Sequence, residues 1–203
     1  MTAAIDSISF PLAEEDQARA GCYALLSRLF YAGPDQALLN TIATTEAFEG
    51  DSVLARAWKE LATSAHAVDA ESACLEYDGV FIGTGKASIT PYATHYLAET
   101  GREKILAGLR EELVTLGLAR IHRANEPEDH IAALLEVMRH LILRGAGDEI
   151  LRAQRTFYSR YIEKVFPLLC GAILENNEMN FYRRVSVFLR TFLEIESESL
   201  KSF

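Results

Sequence analysis

Apolar residues recur at helical spacing through most of the chain. The first stripe follows the i, i+3, i+4, i+7, i+8 order of one helix face, and it consists of Cys22, Leu25, Leu26, Leu29 and Phe30. Tyr23 lies off this stripe. Acidic residues shortly after Pro11 suit the first turn of a helix, and a proline disfavours helical geometry in the residue before it. The pattern therefore predicts a helix that starts after Pro11 and stops at Gly33-Pro34.

Two later stripes predict long buried helices in the second half of the chain. They consist of Ile131, Leu134, Leu135, Met138, Leu141 and Ile142, and of Phe181, Val185, Phe188, Leu189, Phe192 and Leu193. The sequence has no alternating strand pattern, internal repeat or low-complexity linker. We therefore predict an all-α fold, a single compact domain of about ten helices over residues 1–203, with residues 1–11 as a loose N-terminal arm.

Local signals set the remaining helix boundaries. The expected helices are 34–47, 52–68, 70–82, a continuous helix from Pro91 to Leu116, and helices that begin at Glu126–Asp129, near Asp148 and around Pro167. Gly117 followed by Leu118 is typical of a helix end, because glycine adopts the left-handed conformation readily. Residues 119–126 suit a polar connection. The expected core residues of the early helices are Trp58, Leu61, Cys74, Tyr77 and Phe81, with Leu75 and Ile82 beside them.

Composition narrows the classes of function. The formal net charge of −9 argues against nucleic-acid binding, which requires a basic face, and permits a basic partner. The excess of acidic residues is also explained by solubility alone, without any basic partner. No apolar run approaches the roughly 18 residues of a membrane span, and the first residues lack a secretory signal, so we expect a cytoplasmic protein. The three cysteines lie far apart in apolar surroundings and are expected to be buried, reduced thiols.

The segment from Glu76 to Tyr96 is the least regular part of the chain. It joins a helix end to a glycine turn, an irregular crossing that ends at Pro91, and an aromatic pair, Tyr92 and Tyr96. Glycine, proline and aromatic residues lie closest together here. We expect this segment to fix how two helical blocks meet and to line what they hold.

One turn within this segment invites a phosphate-binding interpretation. Gly83-Thr84-Gly85-Lys86 places backbone N–H groups beside a lysine. A P-loop, however, has four residues between its glycines, a Ser or Thr after the lysine and a preceding strand, and this turn has none of these. A nucleotide-binding switch or small enzyme that uses Gly83–Lys86 stays as an alternative function.

Catalytic and metal-binding patterns are missing from the sequence. Paired His residues around a Glu, facing Glu-x-x-His motifs and nucleophile elbows do not occur. Glu136 and His140, four residues apart, are expected to form an exposed ion pair on a helix surface. We therefore expect no enzyme activity, metal or cofactor.

Asp129-His130 supports two interpretations. Asp129 suits a helix start, with His130 partly buried against the apolar residues that follow. Equally, a carboxylate and a hydrogen-bonding ring beside a loop suit the capture of a basic peptide. Composition and spacing leave both open.

Four groups of residues form a combined pattern. They are Glu76-Tyr77-x-x-Val80-Phe81-x-Gly83-x-Gly85, then Pro91-Tyr92 and Tyr96; Tyr23-x-Leu25-Leu26-x-x-Leu29-Phe30 with Pro34; Glu126-Pro127-Glu128-Asp129-His130; and Phe181-Tyr182-Arg183. Together they resemble the TorD/DmsD/NarJ family, the dedicated chaperones of molybdenum-containing oxidoreductases. Their order covers most of the chain. The combination of the Gly-x-Gly to Pro-Tyr element with the Glu-Pro-x-Asp-His element is specific, whereas each alone is weak.

The resemblance implies a helical cytoplasmic chaperone. Such a protein binds the twin-arginine leader and apo form of the catalytic subunit of a molybdopterin-containing oxidoreductase and holds back export until the cofactor is inserted. A leader with adjacent arginines and an apolar stretch calls for carboxylates at one end of a groove and apolar walls along the rest. We expect Asp129 at the arginine end, with Glu126 or Glu128 beside it, and His130 at the peptide backbone. The expected wall consists of Tyr23, Leu26, Phe81, Pro91, Tyr92 and Tyr96.

The sequence leaves the client enzyme, the subfamily and the oligomeric state open. Both a monomer and a dimer that exchanges helices are compatible with it. A further alternative is a structural helical subunit of a redox complex.

Overall fold

The computed structural model describes residues 12–83, 87–118 and 126–202, and within these ranges it contains ten α-helices and one π-helical turn. The helices are α1 (Glu14–Tyr31), α2 (Gln36–Thr44), α3 (Val53–Ala67), α4 (Ala70–Tyr77), α5 (Ala93–Leu97), α6 (Arg102–Thr115), α7 (Ile131–Leu143), α8 (Asp148–Tyr161), α9 (Phe166–Glu175) and α10 (Phe181–Lys201). The π-helical turn, Asp78–Ile82, continues α4. The described ranges contain no β-strand, so the all-α prediction is confirmed.

The core forms around α1, α7 and α10. Helix α1 packs along α7, while α10 contacts α1, α3, α4, α8 and α9. Every residue of the two late stripes is at most 3% exposed, as the spacing predicts. Trp58 and Leu61 are also buried, and the indole of Trp58 packs edge-on against Phe188.

The burial of Tyr23 shows that the buried surface of α1 is wider than the predicted stripe. It lies off the apolar line of α1, yet it has no exposed surface. Helix α1 is covered by α7 and α10, so more than one of its faces is buried. The hydroxyl of Tyr23 donates to Glu196, and its ring packs edge-on against Phe192.

An ion pair between the half-buried Arg19 and the buried Glu196 links the same helices. The guanidinium of Arg19 donates to both carboxylate oxygens of Glu196, at 2.7 and 2.9 Å, and to Gln154 on α8 at 3.2 Å. The Glu196 side chain is 3% exposed. This pair ties α1, α8 and α10 together.

Glu76 and Tyr77 join three helix ends. The carboxylate of Glu76 accepts hydrogen bonds from the backbone N–H groups of Asn180, Phe181 and Tyr182, at the start of α10. The hydroxyl of Tyr77 donates to the carbonyls of Phe30 and Tyr31, at the end of α1. These contacts satisfy backbone groups that a helix end leaves unpaired.

The predicted helix 70–82 is helical throughout, but its last turn widens. Residues 78–82 form the π-helical turn, and Gly83 ends it with a φ of 63°. Phe81 faces the core as expected, whereas Leu75 and Ile82 are 65% and 61% exposed. The expectation that these two side chains flank the core was therefore wrong, because they lie on the solvent side.

The predicted continuous helix from Pro91 to Leu116 is also wrong. It is divided into α5 and α6, and Gly101 between them has a φ of 74°, in the left-handed region. The predicted stop is confirmed: Gly117 has a φ of 74°, and the Leu118 N–H donates to the carbonyl of Leu113.

Other boundaries agree with the sequence. Helix α8 begins at Asp148, and Pro167 lies in the first turn of α9. All three thiols are free; Cys22 and Cys170 are buried, and burial raises the pKa of Cys22 to about 12. No helix in the described ranges is long and apolar enough to cross a membrane. The predicted arm 1–11 and residues 119–125 of the predicted connection 119–126 lie outside the described residues.

Candidate functional site

Two motifs that are far apart in sequence meet as a short pair of antiparallel segments. The Ile131 N–H donates to the carbonyl of Pro91, and the Ala93 N–H donates to the carbonyl of Asp129, each at 2.8 Å. Tyr92 and His130 form the bridge between them. Helix α7 therefore begins at Ile131, and the prediction of a helix start at Glu126–Asp129 is wrong because His130, which precedes α7, is extended in the bridge with Tyr92.

The Asp129 side chain, which precedes α7 in sequence, is buried against the first turn of α5. It is 3% exposed, and its carboxylate accepts hydrogen bonds from the hydroxyl of Thr94 at 2.6 Å and from the Thr94 N–H at 3.2 Å. Its nearest partners are therefore protein groups, so it orders the junction between α5 and α7.

His130 forms the N-cap of α7. Its Nδ1 accepts the N–H of Ala132 at 3.2 Å, which places the proton of the neutral ring on Nε2. Burial lowers the pKa of His130 below its usual 6.5, against the nearby carboxylates of Glu126 and Asp129, which raise it. The ring also packs edge-on against Tyr92, with centroids 5.4 Å apart.

Tyr92 positions a carboxylate at the same junction. Its hydroxyl donates to Glu126 at 2.5 Å. Burial and this hydrogen bond raise the pKa of Tyr92 well above its ordinary value. The hydroxyl thus stays protonated and fixes the orientation of the Glu126 side chain.

A cleft of about 370 Å³ opens beside this junction, between the ends of α1 and α6 and the first turns of α7. Its lining residues are Ser27, Tyr31, Leu113, Leu118, Glu126, Pro127, Glu128, His130, Ala132, Ala133, Glu136, Val137 and His140. We call it the α7 cleft. The hydroxyl of Ser27 donates to the Ala132 carbonyl at 2.8 Å and fixes the distance between α1 and α7.

The α7 cleft combines three carboxylates with an apolar wall. Glu126 and Glu128 lie at its N-terminal end, and Glu136 lies farther along α7. Glu128 pairs with Arg110 at 3.0 Å, and Glu136 pairs with Arg139 at 2.6 Å. The expected ion pair of Glu136 with His140 is therefore wrong, because the guanidinium of Arg139 pairs with the Glu136 carboxylate instead.

A second cleft, of about 390 Å³, lies on the other side of Pro127. It is lined by Thr90, Tyr92, Thr94, His95, Arg102, Glu103, Leu106, Pro127 and Asp129. The Glu126–His130 segment thus separates two clefts. Glu126 and His130 line the α7 cleft, whereas Asp129 and Tyr92 line the second one.

The other residues that the resemblance assigned to a peptide wall lie in different surroundings. Tyr23 and Leu26 have no exposed surface, and Phe81 is 6% exposed in an aromatic cluster with Phe30, Tyr77 and Tyr182. Pro91 is buried. Tyr96 is half-buried, and its hydroxyl donates to the Thr90 carbonyl. The fold does not bring these five side chains into the α7 cleft.

Sequence reasoning missed most of the apolar wall. Tyr31 lies at the end of α1, Leu113 and Leu118 lie at the end of α6, and Val137 lies in the middle of α7, so they meet only in the fold. The only sequence signal was the Gly117-Leu118 stop, which turns Leu118 back towards the last turn of α6.

Within the described ranges, no group of three His, Cys, Asp or Glu side chains could hold a metal ion. Of the Gly83–Lys86 turn, residues 84–86 lie outside the described residues.

Comparison with known proteins gives one family. Residues 49–171 match the family described as nitrate reductase delta subunit. The chain is 31% identical over 134 residues to the chaperone protein TorD of Aliivibrio fischeri, which covers 62% of each chain, so the match spans less than two thirds of that relative. It is 28% identical to TorD of Aliivibrio salmonicida, over 80% of this chain and 79% of that one. It is 25% identical to TorD of Shewanella pealeana, over 92% of this chain and 91% of that one.

Proposed function

Since the chain belongs to the nitrate reductase delta subunit family, the TorD/NarJ family of molybdoenzyme chaperones, we propose that it is itself a cytoplasmic chaperone of a molybdenum-containing oxidoreductase. It binds the twin-arginine leader and the apo form of the catalytic subunit. It holds this client until the molybdopterin cofactor is inserted, before export or assembly. Residues 1–203 act as one helical binding domain, with no catalytic step of their own.

The α7 cleft is the observation that carries this proposal. Guanidinium groups form their strongest hydrogen bonds with carboxylates, and an apolar segment binds where water leaves apolar side chains. The cleft offers Glu126, Glu128 and Glu136 beside the apolar wall of Tyr31, Leu113, Leu118 and Val137. A segment with adjacent arginines followed by apolar residues matches both parts.

The residues of the junction take separate roles in this proposal. Glu126 contacts the leader's arginines, and Tyr92 orients its carboxylate through their hydrogen bond. His130 lies in the cleft wall, where Nε2–H can donate to a peptide carbonyl. Asp129 acts through position only, because its carboxylate is buried against Thr94. The buried Tyr23, Leu26, Phe81 and Pro91 support the fold around the cleft.

The test is to identify what the protein retains in its own cytoplasm. A tagged chain is purified from cells that are producing molybdoenzymes, and mass spectrometry identifies each partner and its N-terminus. The expected partner is a large molybdoenzyme subunit whose leader is uncleaved. Capture of no such subunit while the enzyme is being made would contradict the proposal.

A structural subunit is the second candidate, because the matching family is described as a subunit. A permanent subunit would co-purify with the mature, cofactor-loaded enzyme in fixed stoichiometry. A chaperone should prefer the immature form. The cofactor content of the retained partner therefore separates the two functions.

A further inference from the structure

The cleft-facing side of α7 changes from acidic to apolar along its length. Glu136 and His140 line the cleft, and Leu143 follows His140 by three residues and Glu136 by seven. Residues seven apart lie on the same helix face, about 10 Å apart along the axis. Leu143 is 48% exposed, so this face ends in an apolar side chain open to solvent.

The end of α6 adds apolar surface at the same place. Leu113 and Leu118 line the cleft, and Val114, next to Leu113, is 74% exposed, the highest value among the large apolar residues that the structure describes. The guanidinium of Arg144 donates to the Leu116 carbonyl at 3.1 Å, which ties the end of α7 to the end of α6. Leu143 and Val114 are therefore exposed apolar residues of the two helix ends that this hydrogen bond joins.

The opposite end carries negative charge. Glu126 and Glu128 precede α7, and Glu136 lies in its second turn. Glu128 and Glu136 are each paired with an arginine of α6 or α7, Arg110 and Arg139. A guanidinium from a partner can share these carboxylates, since each oxygen accepts more than one hydrogen bond. The surface thus has an acidic end and an apolar end joined by one helix face.

We propose that a twin-arginine leader binds along α7 in one direction, with its arginines over Glu126 and Glu136 and its apolar stretch over Leu118, Leu143 and Val114. The direction follows from charge complementarity, because the reverse orientation would place the leader's arginines on apolar side chains and its apolar stretch on carboxylates. This inference rests on the proposed function. Leu143 and Val114 then determine how strongly the apolar part of a leader is recognised.

Two peptides and paired variants test the direction. The first synthetic peptide has two adjacent arginines followed by an apolar stretch, and the second ends just after the arginines. Leu143→Asp and Val114→Asp alter exposed positions, and Leu75→Asp makes the same change at a 65% exposed leucine of α4, outside the cleft. Affinities are measured by calorimetry, and circular dichroism checks that each variant is folded.

The expected result is selective. Leu143→Asp should weaken binding of the long peptide about tenfold, since a charge replaces an apolar contact, with a smaller loss for Val114→Asp. The short peptide should bind all variants equally, and Leu75→Asp should bind both peptides as the wild type does.

Three outcomes would overturn the inference. Equal affinity of the long peptide for the wild type, Leu143→Asp and Val114→Asp would remove the direction while leaving the proposed function intact. An equal loss in Leu75→Asp would show a non-specific effect of charge. Failure of both peptides to bind the wild type would contradict the inference and the proposed function together.

Discussion

The carboxylate of Asp129 is held by Thr94, whose hydroxyl and backbone N–H both donate to it. The contact joins the start of α5 to the segment that precedes α7. A carboxylate that the sequence suggests for peptide capture is thus part of the internal junction. Its first measurable role is in stability.

Asp129→Ala should lower the free energy of unfolding by about 1 to 3 kcal/mol, because it leaves the buried hydroxyl and N–H of Thr94 without their acceptor. Urea denaturation measures this change. Thr94→Val in the Asp129→Ala background should then cost little more, since the hydroxyl has already lost its partner. An unchanged unfolding free energy combined with lost leader binding would instead place Asp129 in direct contact with the peptide.

Glu76→Ala should destabilise the protein by about 1 to 2 kcal/mol, because three backbone N–H groups at the start of α10 lose their acceptor. Thermal or urea denaturation measures the loss. Glu49→Ala, which removes the same group from an exposed connection between α2 and α3, is the matched control and should change stability little. Equal effects of the two substitutions would show that the capping contact contributes nothing.

His130 should make stability depend on pH. Its folded-state pKa is lowered by burial, so the unfolded chain takes up the proton first as pH falls. The contribution is complete above the unfolded-state pKa of about 6.5 and is lost as pH falls through the lower folded-state pKa. Protonation also removes the Nδ1 acceptor that caps α7.

Urea denaturation at pH 7.5 and pH 5.5 tests this dependence. The wild type should lose more stability between the two than His130→Asn, in which an uncharged amide can still cap the helix. His95→Asn, at an exposed position of α5, should behave as the wild type does. The same pH dependence in all three proteins would exclude His130 as its source.

Glu196→Gln should lower the free energy of unfolding by about 1 to 3 kcal/mol, because the half-buried Arg19 keeps its pairing with Asp16 but loses the buried carboxylate to which it donates two hydrogen bonds. Replacing both partners, as Arg19→Met with Glu196→Leu, should cost less than the single substitution. Urea denaturation of the set measures both. A double variant less stable than Glu196→Gln would show that the pair itself contributes net stability.

The sequence predicted the helices better than the site. Every position in the stripes of α7 and α10 is buried, whereas the burial of Tyr23 depends on α7 and α10 both covering α1. Gly101 lies in the left-handed region where the predicted helix divides into α5 and α6. A single glycine in the sequence does not indicate that its backbone will adopt this conformation. The pairing of Pro91 with Ile131 determines where α7 begins, and no local signal reports a partner some forty residues away.

The site itself was predicted in part. Motif spacing identified the Glu126–His130 segment, and the structure places Glu126 and His130 in one cleft. Spacing could not distinguish Glu126, which lines the α7 cleft, from Asp129, which is turned into the junction with Thr94. Whether these residues bind a leader stays a prediction.

The most direct test of the central claim is the affinity of a peptide with two adjacent arginines and an apolar stretch for the wild type and for Glu126→Gln/Glu136→Gln. Glu49→Gln/Glu175→Gln, which makes the same charge change at exposed positions outside the cleft, is the matched control. We expect a dissociation constant of about 1 μM for the wild type and the control, and at least a roughly tenfold weaker one for the cleft variant. Equal affinity of all three proteins would contradict recognition of the leader in the α7 cleft.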